Sequence, residues 1–212
     1  LIWQSFVGWR IKTKAAHFDA STCRMMDFNV SQNGSTQFMY VLPSSPNEAL
    51  IEHTRFGEHL LAPAYSESEI EKYLAQMGIS DFEILEKEES RIPMTNSLNP
   101  KRKFEQTNTV KLGIKAGAVK ASTGFAFKNM AMHAGRIARA LAQNKPLPTA
   151  YHPVQFRVYD ALLLNVLKKD AHYGKPIFEA MFEKLPLNRV FRFLDEQSHF
   201  GEDLSIMWNV PW

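Results

Sequence analysis

The arrangement of apolar and polar positions predicts a β-rich first part of the chain. Four segments have the β-branched and aromatic content that is typical of strands: residues 2–13, 23–30, 36–42 and 48–56. The pair Asn33-Gly34, which precedes the third segment, is a strong signal for a tight turn. The short spacings between the segments predict an antiparallel meander.

Helical periodicity begins after these strands. Residues 66–77 have it, and Ser66 and Glu69 are spaced as a capping box at its start. Gly78 suits the C-terminal end of this helix. A further strand and a polar loop are predicted next: residues 80–94 and 95–106.

The second half of the chain is predicted to be mainly helical. Residues 109–118 are predicted as a short strand that runs into a glycine turn, followed by a helix over residues 125–143. The apolar face predicted for that helix consists of Phe127, Met130, Ala131, Ala134, Ile137, Ala138 and Leu141. Three more helices are predicted: residues 153–169, 177–184 and 188–197.

Composition narrows the class of protein. Apolar residues make up 45% and charged residues 22% of the 212 positions, which is typical of a globular chain. The net charge of +3 is too small to favour nucleic-acid binding. No apolar run approaches the roughly 20 residues that span a bilayer. Because the chain starts with Leu1 inside a predicted strand, we expect both ends to be cut from a longer protein.

A glycine-rich turn is the first candidate for chemistry. Gly113 and Gly117 are followed by Ser122-Thr123-Gly124 just before the predicted helix. Backbone N–H groups at a helix start suit an anion or an electron-rich ring edge. The same pattern also fits a plain strand–turn–helix with small residues for packing. It matches neither the phosphate-binding loop nor the dinucleotide fingerprint.

Glu52 is the second candidate. It lies in the predicted fourth strand after the apolar run Ala49-Leu50-Ile51. If this carboxylate is desolvated, its pKa rises and it can carry a proton at neutral pH. The alternative is a glutamate on a solvated sheet face. The seven histidines have no metal-ligand spacing, so no metal site is predicted.

A broad apolar face is predicted on the helix of residues 153–169. It consists of Val154, Tyr159, Leu162, Leu163, Val166 and Leu167. Such a face fits contact with a membrane surface, and it also fits an ordinary core helix.

Taken together, these stretches resemble the C-terminal half to two-thirds of bacterial FAD-dependent lycopene cyclases, flavoproteins with a hydroxylase-like fold. The matching segments are residues 3–9, 26–28, 38–43, 50–54, 92–94, 113–117, 122–125 and 191–195. The resemblance implies an α+β fold in three parts. Residues 1–108 would form a substrate-binding domain with an antiparallel sheet, and residues 109–146 the C-terminal strand–helix of an FAD-binding domain. Residues 147–212 would form a helical tail, and the N-terminal Rossmann segment of the family is absent from this chain.

The resemblance also implies a reaction. An acid protonates the ψ-end of lycopene or a related acyclic carotenoid, and the resulting cation closes to a β-ring by losing a proton. This isomerisation needs reduced FAD, with NAD(P)H as reductant, but has no net redox change. A reduced anionic flavin would place negative charge beside the developing cation. Since the substrate is insoluble in water, we expect a cytoplasmic protein that is attached peripherally to a membrane.

The site residues follow from the family's motifs. Glu52 aligns with the first glutamate of the plant cyclases' phenylalanine–leucine–glutamate–glutamate–threonine motif and is the expected acid; His53 replaces the second glutamate. Four aromatic residues are expected to bind substrate and shield the cation: Trp9, Phe38, Tyr40 and Phe125. Five residues are expected to bind the flavin: Gly113, Gly117, Ser122, Thr123 and Gly124.

Two other functions fit the same chain. One is a flavin-dependent oxidoreductase of the same fold, that is, a monooxygenase, halogenase or prenyl reductase. Such enzymes usually have a Gly-Asp-Ala-like turn where this chain has Gly113 to Gly117, and the absence of the aspartate favours the cyclase. The other is a lipid- or carotenoid-binding module without catalysis.

Overall fold

A five-stranded sheet and a series of helices form this α+β chain in a computed structural model, which describes residues 1–96, 110–148 and 152–211. Two units can be distinguished. The first consists of Leu1–Pro93 and Leu167–Lys175, and the second of Met94–Val166 and Pro176–Trp212. The division into three domains at residues 108 and 146 stays a prediction.

The sheet belongs to the first unit and confirms most of the predicted strands. Its members are β1 (Ile2–Thr13), β2 (Arg24–Asp27), β3 (Thr36–Ser45), β4 (Glu48–Gly57) and β5 (Phe82–Met94). The spatial order is β2-β3-β4-β1-β5. Strands β2, β3 and β4 form the predicted antiparallel meander, and β1 pairs antiparallel with β4. Asn33 and Gly34 both have positive φ, as the predicted tight turn requires.

One face of the sheet carries the core of the first unit. Strand residues alternate between the two faces, so every second side chain points to the same side. On the core side the sheet contributes Val7, Trp9, Ile11, Met39, Val41, Ala49 and Ile51. Helix α1 (Pro63–Gln76) contributes Ile70, Tyr73 and Leu74 to the same cluster. This face is therefore filled, and a ligand site on the sheet must use the other face.

The capping box predicted at the start of α1 is wrong. The helix begins at Pro63, after the N-cap residue Ala62, which makes no side-chain cap bond. Ser66 lies inside the helix, where its hydroxyl is hydrogen-bonded to Nδ1 of the buried His53 at 3.0 Å. The predicted end is confirmed, because Gly78 has a left-handed φ of 75° just after the helix.

Five further helices follow in the described ranges. They are α2 (Phe127–Ala142), α3 (Val154–Lys169), α4 (Gly174–Lys184), α5 (Leu187–Leu194) and α6 (Phe200–Asn209). Helices α2 to α5 were predicted, whereas α6 was not. The predicted strand at residues 109–118 is wrong: residues 110–112 are irregular and a short 3-10 helix, Gly113–Ala116, follows them. Of the predicted loop at residues 95–106, the part after Asn96 lies outside the described residues.

The buried face of α2 also differs from the prediction. Its buried residues are His133, Ile137 and Ala140, whereas Phe127 and Leu141 are exposed. His133 turns inward because its Nε2 is hydrogen-bonded to the carbonyl of Pro148 at 3.0 Å. Ile137 belongs to both the predicted and the observed face, so the two faces overlap. A histidine that is hydrogen-bonded to a carbonyl gives no apolar signal in a sequence, which is why the periodicity missed His133.

Among the helices that the structure describes, none combines the length and apolarity that crossing a membrane requires.

Candidate active site

Glu52 occupies the middle of the sheet, on the face opposite to the core cluster. Its Cα lies between Gly8 on β1 and Tyr40 on β3, the two cross-strand partners in the register. The side chain is half-buried, and its Oε1 accepts a hydrogen bond of 2.8 Å from the hydroxyl of Thr54. Thr54, two residues on, lies on the same face and is fully buried. The carboxyl is therefore held in place at the edge of a poorly hydrated region.

Burial changes the acid–base chemistry of Glu52. Desolvation raises the pKa of this carboxyl to about 7; the Thr54 hydrogen bond opposes the shift, and the charge and hydrogen bond of Glu88 add to it. Tyr40 responds in the same sense, because burial and the nearby Glu52 raise the pKa of its phenol. A carboxyl with a pKa near 7 can donate or accept a proton at neutral pH.

Aromatic rings lie beside this carboxyl on the same face. The Phe38 ring meets those of Tyr40 and Phe56 edge-on, with ring centroids 5.3 Å apart in both pairs. Phe28 makes a third edge contact with Phe38 at 5.6 Å. The structure thus brings together three predicted site residues: Glu52, Phe38 and Tyr40. Phe38 and Phe56 are fully buried, so an apolar molecule on this face would meet the half-buried ring of Tyr40 and one protonatable oxygen.

Trp9 and His53 lie on the other side of the sheet. Trp9 is the cross-strand partner of Ile51 and belongs to the core cluster, so the structure does not bring it to Glu52. His53 follows Glu52 and therefore points to the opposite face. Burial lowers the pKa of His53 to about 4, which makes it neutral at pH 7. The residue that replaces the second glutamate of the motif thus does not share a face with the first.

Sequence reasoning missed the second carboxyl near Glu52. Glu88, on β5, reaches over Gly8 to the neighbourhood of Glu52, and its charge and hydrogen bonding raise the pKa of that carboxyl. The available signal was Gly8, a glycine within the apolar strand β1, because such a glycine often marks a close approach. A Cβ built at Gly8 would lie 2.7 Å from Oε1 of Glu88.

The glycine turn lies in the second unit, and its geometry explains both of its glycines. Gly113 and Gly117 have φ values of 62° and 77°, a region that glycine adopts without strain. Gly117 ends the short 3-10 helix, and its N–H donates to the carbonyl of Ile114. A Cβ at Gly113 would approach Sδ of Met130 to 3.3 Å. Local backbone conformation is therefore sufficient to account for the spacing.

The groups expected to bind flavin are engaged within the turn itself. The hydroxyl of Ser122 donates to Asp160 at 2.6 Å, and the N–H of Gly124 donates to the carbonyl of Lys120. Ser122, Thr123 and Gly124 are buried. The carbonyl of the half-buried Phe125 accepts a hydrogen bond from the N–H of Lys120. Helix α2 begins only at Phe127, so these residues are not its first turn. The Ser122 hydroxyl and the Gly124 N–H are thus already hydrogen-bonded within this unit, and flavin binding by the turn stays a prediction.

Ser122 instead belongs to a buried network of charged residues, which no local sequence motif predicts. Nζ of Lys120 lies 2.7 Å from Oδ1 of Asp160 and 3.5 Å from Oε1 of Glu196. His152 extends the network, with Nδ1 2.8 Å from Glu196. Its members are separated by up to 76 positions along the chain. Local patterns cannot reveal such a set.

Two basic side chains of the network face two acidic ones. Nε2 of His152 lies 2.7 Å from the carbonyl of Gly117, which can only accept, so this nitrogen carries a hydrogen. The hydrogen bond with Glu196 raises the pKa of His152 and favours the imidazolium that donates from both nitrogens. Lys120 and His152 are therefore the partners of the two buried carboxyls, Asp160 and Glu196. Removing one cation would leave an unpaired negative charge in the interior.

Replacing Lys120 by methionine is expected to lower the free energy of unfolding by about 3 kcal/mol, because buried carboxylates lose their partner. Urea-induced unfolding measures the change. Lys128→Met is the matched control: Lys128 pairs with Asp195 while half-exposed, and its loss should cost less than about 1 kcal/mol. Equal effects of the two substitutions would contradict the account of the network.

Within the described ranges, no group of three or more histidine, cysteine, aspartate or glutamate side chains is placed to hold a metal ion.

A family model and a curated relative point to the same family. The family model described as lycopene cyclase protein matches residues 1–212. The lycopene beta-cyclase of Pantoea ananas is 31% identical over 123 residues, which cover 58% of this chain and 32% of that protein. The crystal structure of a geranylgeranyl bacteriochlorophyll reductase-like protein from Thermoplasma acidophilum aligns with a TM-score of 0.47 at 12% identity, covering 97% of this chain and 51% of that one. The match thus spans about a third of the curated relative's length. Because the family model covers the whole chain, the chain belongs to the lycopene cyclase family.

Proposed function

We propose that this chain is part of a carotenoid cyclase that closes the ψ-end of lycopene to a β-ring. Membership of the family supports the reaction class, and the similarity to a lycopene beta-cyclase supports the substrate. The observation that carries the proposal is Glu52, a half-buried carboxyl with a pKa of about 7 beside a row of aromatic rings. This pairing of acid and apolar surface suits protonation of a hydrocarbon.

In the proposed reaction Glu52 donates its proton to the terminal double bond of the ψ-end. The π electrons of that bond form the new C–H bond, which leaves a tertiary cation and a Glu52 carboxylate. The neighbouring double bond attacks the cation and closes the six-membered ring. Loss of a proton from the ring cation forms the β-ring double bond, and a proton returned to the carboxylate restores the acid. No atoms are gained or lost overall, so the reaction is an isomerisation by an intramolecular lyase.

The neighbours of Glu52 have distinct roles in this proposal. Thr54 holds Oε1 by its hydrogen bond and thereby fixes the direction of the carboxyl. The ring face of Tyr40 can stabilise the cation through its π electrons, and the fully buried Phe38 packs edge-on against Tyr40. Their packing also keeps water away from the cation, which water would otherwise trap as an alcohol. Trp9 has no part in this, because it lies in the core on the other side.

Reduced FAD, with NAD(P)H as its reductant, is the cofactor we propose from family membership. The chemistry it would supply is negative charge near the cation. Gly113 and Gly117 provide backbone without side chains, but the hydroxyl of Ser122 is engaged elsewhere. The proposed steps therefore depend on side chains of this chain alone. We also propose that residues 109–146 form the C-terminal part of an FAD-binding domain with a hydroxylase-like fold.

Peripheral attachment to a membrane is also proposed, because the substrate dissolves in lipid. Two helices of the second unit expose apolar side chains at intervals of four. They are Val154, Val158 and Leu162 on α3, and Phe200, Leu204 and Trp208 on α6. Trp208 is 91% exposed. Such stripes are typical of helices that lie on a lipid surface.

Glu52→Gln should reduce ring formation by about 100-fold or more, because an amide cannot donate the proton. The measurement is the yield of cyclic carotenoid in lycopene-accumulating cells that express the protein. Glu48→Gln is the matched control, since Glu48 lies on the same strand and is paired with Lys12 at 3.6 Å. Retained cyclisation in Glu52→Gln would remove this residue from the mechanism.

The rate of cyclisation should fall as the pH rises through about 7, because only protonated Glu52 starts the reaction. Below that pH the acid is already protonated and the rate should level off. Initial rates between pH 5 and 9 with lycopene in vesicles measure this dependence. A rate that falls already near pH 4.5 would show a solvated carboxyl instead.

Trp208→Ser should weaken sedimentation of the protein with phosphatidylglycerol vesicles several-fold, because a tryptophan side chain that is 91% exposed is lost. The control is Phe127→Ser, an exposed aromatic residue outside both stripes, which should leave sedimentation unchanged. Unchanged binding of the Trp208 variant would argue against this surface.

A further inference from the structure

Strand β5 places a carboxyl above the position where β1 lacks a side chain. Gly8 is the cross-strand partner of Glu52, so the space above Gly8 adjoins the Glu52 side chain. Glu88 fills that space: a Cβ built at Gly8 would lie 2.7 Å from its Oε1 and 2.8 Å from its Cγ. The missing side chain at Gly8 is therefore what allows Glu88 to reach across β1.

Because Gly8 is the cross-strand partner of Glu52 and Glu88 lies over Gly8, the two carboxyls are neighbours, and a hydrogen bond between them accounts for the way in which Glu88 raises the pKa of Glu52. Two ionised carboxylates have no hydrogen to share, so such a bond requires one of them to be protonated. Glu88 is exposed to water, whereas Glu52 is half-buried. Since an ionised group is more stable where it is hydrated, the negative charge belongs on Glu88 and the proton on Glu52.

Other charged groups on this face are arranged differently. Arg10 on β1 pairs with Glu86 on β5 at 3.9 Å, and both side chains are exposed. Tyr40 faces Glu52 from β3 as a neutral phenol, because its pKa is raised. Among these groups, Glu88 is the one whose charge acts on the Glu52 carboxyl.

We propose that Glu88 is a positioning residue for the proton donor. Its carboxylate accepts a hydrogen bond from protonated Glu52 across Gly8, and this bond keeps Glu52 protonated and oriented until substrate binds. This inference rests on the proposed function of Glu52. Oε1 of Glu52 accepts from Thr54, which leaves Oε2 as the oxygen that can donate to Glu88. Glu88 itself does not touch the substrate. After the reaction its exposed carboxylate can take a proton from water and pass it to Glu52, which restores the starting state without any other reactant.

The first test compares three variants of the protein by their pH profiles of cyclisation. Glu88→Gln removes the charge, and Gly8→Ala adds a methyl group where the Glu88 side chain lies. Both should move the midpoint of the alkaline limb down by about one pH unit. KM should stay unchanged while kcat at pH 8 falls several-fold, since substrate contacts are intact. Glu86→Gln, the control on the same strand and face, should leave the midpoint where it is.

The second test needs no turnover. The titration of Glu52 is followed by ¹³C NMR of labelled glutamate in the wild type and in Glu88→Gln, with the Glu52→Gln spectrum identifying the signal. A lower midpoint in Glu88→Gln supports the pair, even if the protein proves unable to cyclise lycopene; that result would overturn only the proposed function. An unchanged midpoint overturns the role of Glu88, whether or not lycopene is cyclised.

Discussion

Desolvation of one carboxyl is the constraint on which the candidate site depends. Glu52 lies on a central strand, beside buried Thr54 and the aromatic ring of Tyr40, and water cannot fully solvate its charge. The protonated form is then favoured, which is the form that can protonate a double bond. Ordinary carboxyl groups are ionised at neutral pH and would give no acid there. The local environment therefore supplies the reactivity.

The sheet makes this possible because its two faces have different tasks. One face is filled by the core cluster beneath α1 and holds the strands rigidly together. The other carries the acid and the aromatic row. Because side chains alternate along β4, Glu52 and His53 lie on opposite faces of the sheet, although they are consecutive residues of one motif. His53 is hydrogen-bonded to Ser66 in the interior, whereas Glu52 lies on the face opposite to the core cluster.

Much of the fold could be predicted from the sequence, since strands β1, β3 and β4 and helices α2 and α3 have clear periodicity. Local sequence signals gave wrong predictions where a side chain is hydrogen-bonded to a residue far away in the sequence. Ser66 has the spacing of a cap, but His53 uses its hydroxyl. Ser122 precedes a helix, but Asp160 uses its hydroxyl.

The site was predictable in part for the same reason. Phe38 and Tyr40 share a face because they are two residues apart on β3. Glu52 shares it because it is the cross-strand partner of Tyr40 on β4. Trp9 obeys it too, but the register places it on the core side. Glu88 comes from a strand separated from β4 by β1, and a single sequence does not show which strand follows β1 in the sheet. Only the spatial order reveals the second carboxyl.

The most direct test is the protonation of Glu52 in the intact wild-type protein without substrate. Infrared absorption of its protonated C=O group, isolated by subtracting the spectrum of Glu52→Gln, can be followed from pH 4 to 9. The account predicts half-protonation near pH 7. A band that has vanished by pH 6, with a midpoint near 4.5, would show that water solvates the carboxylate and would contradict the account.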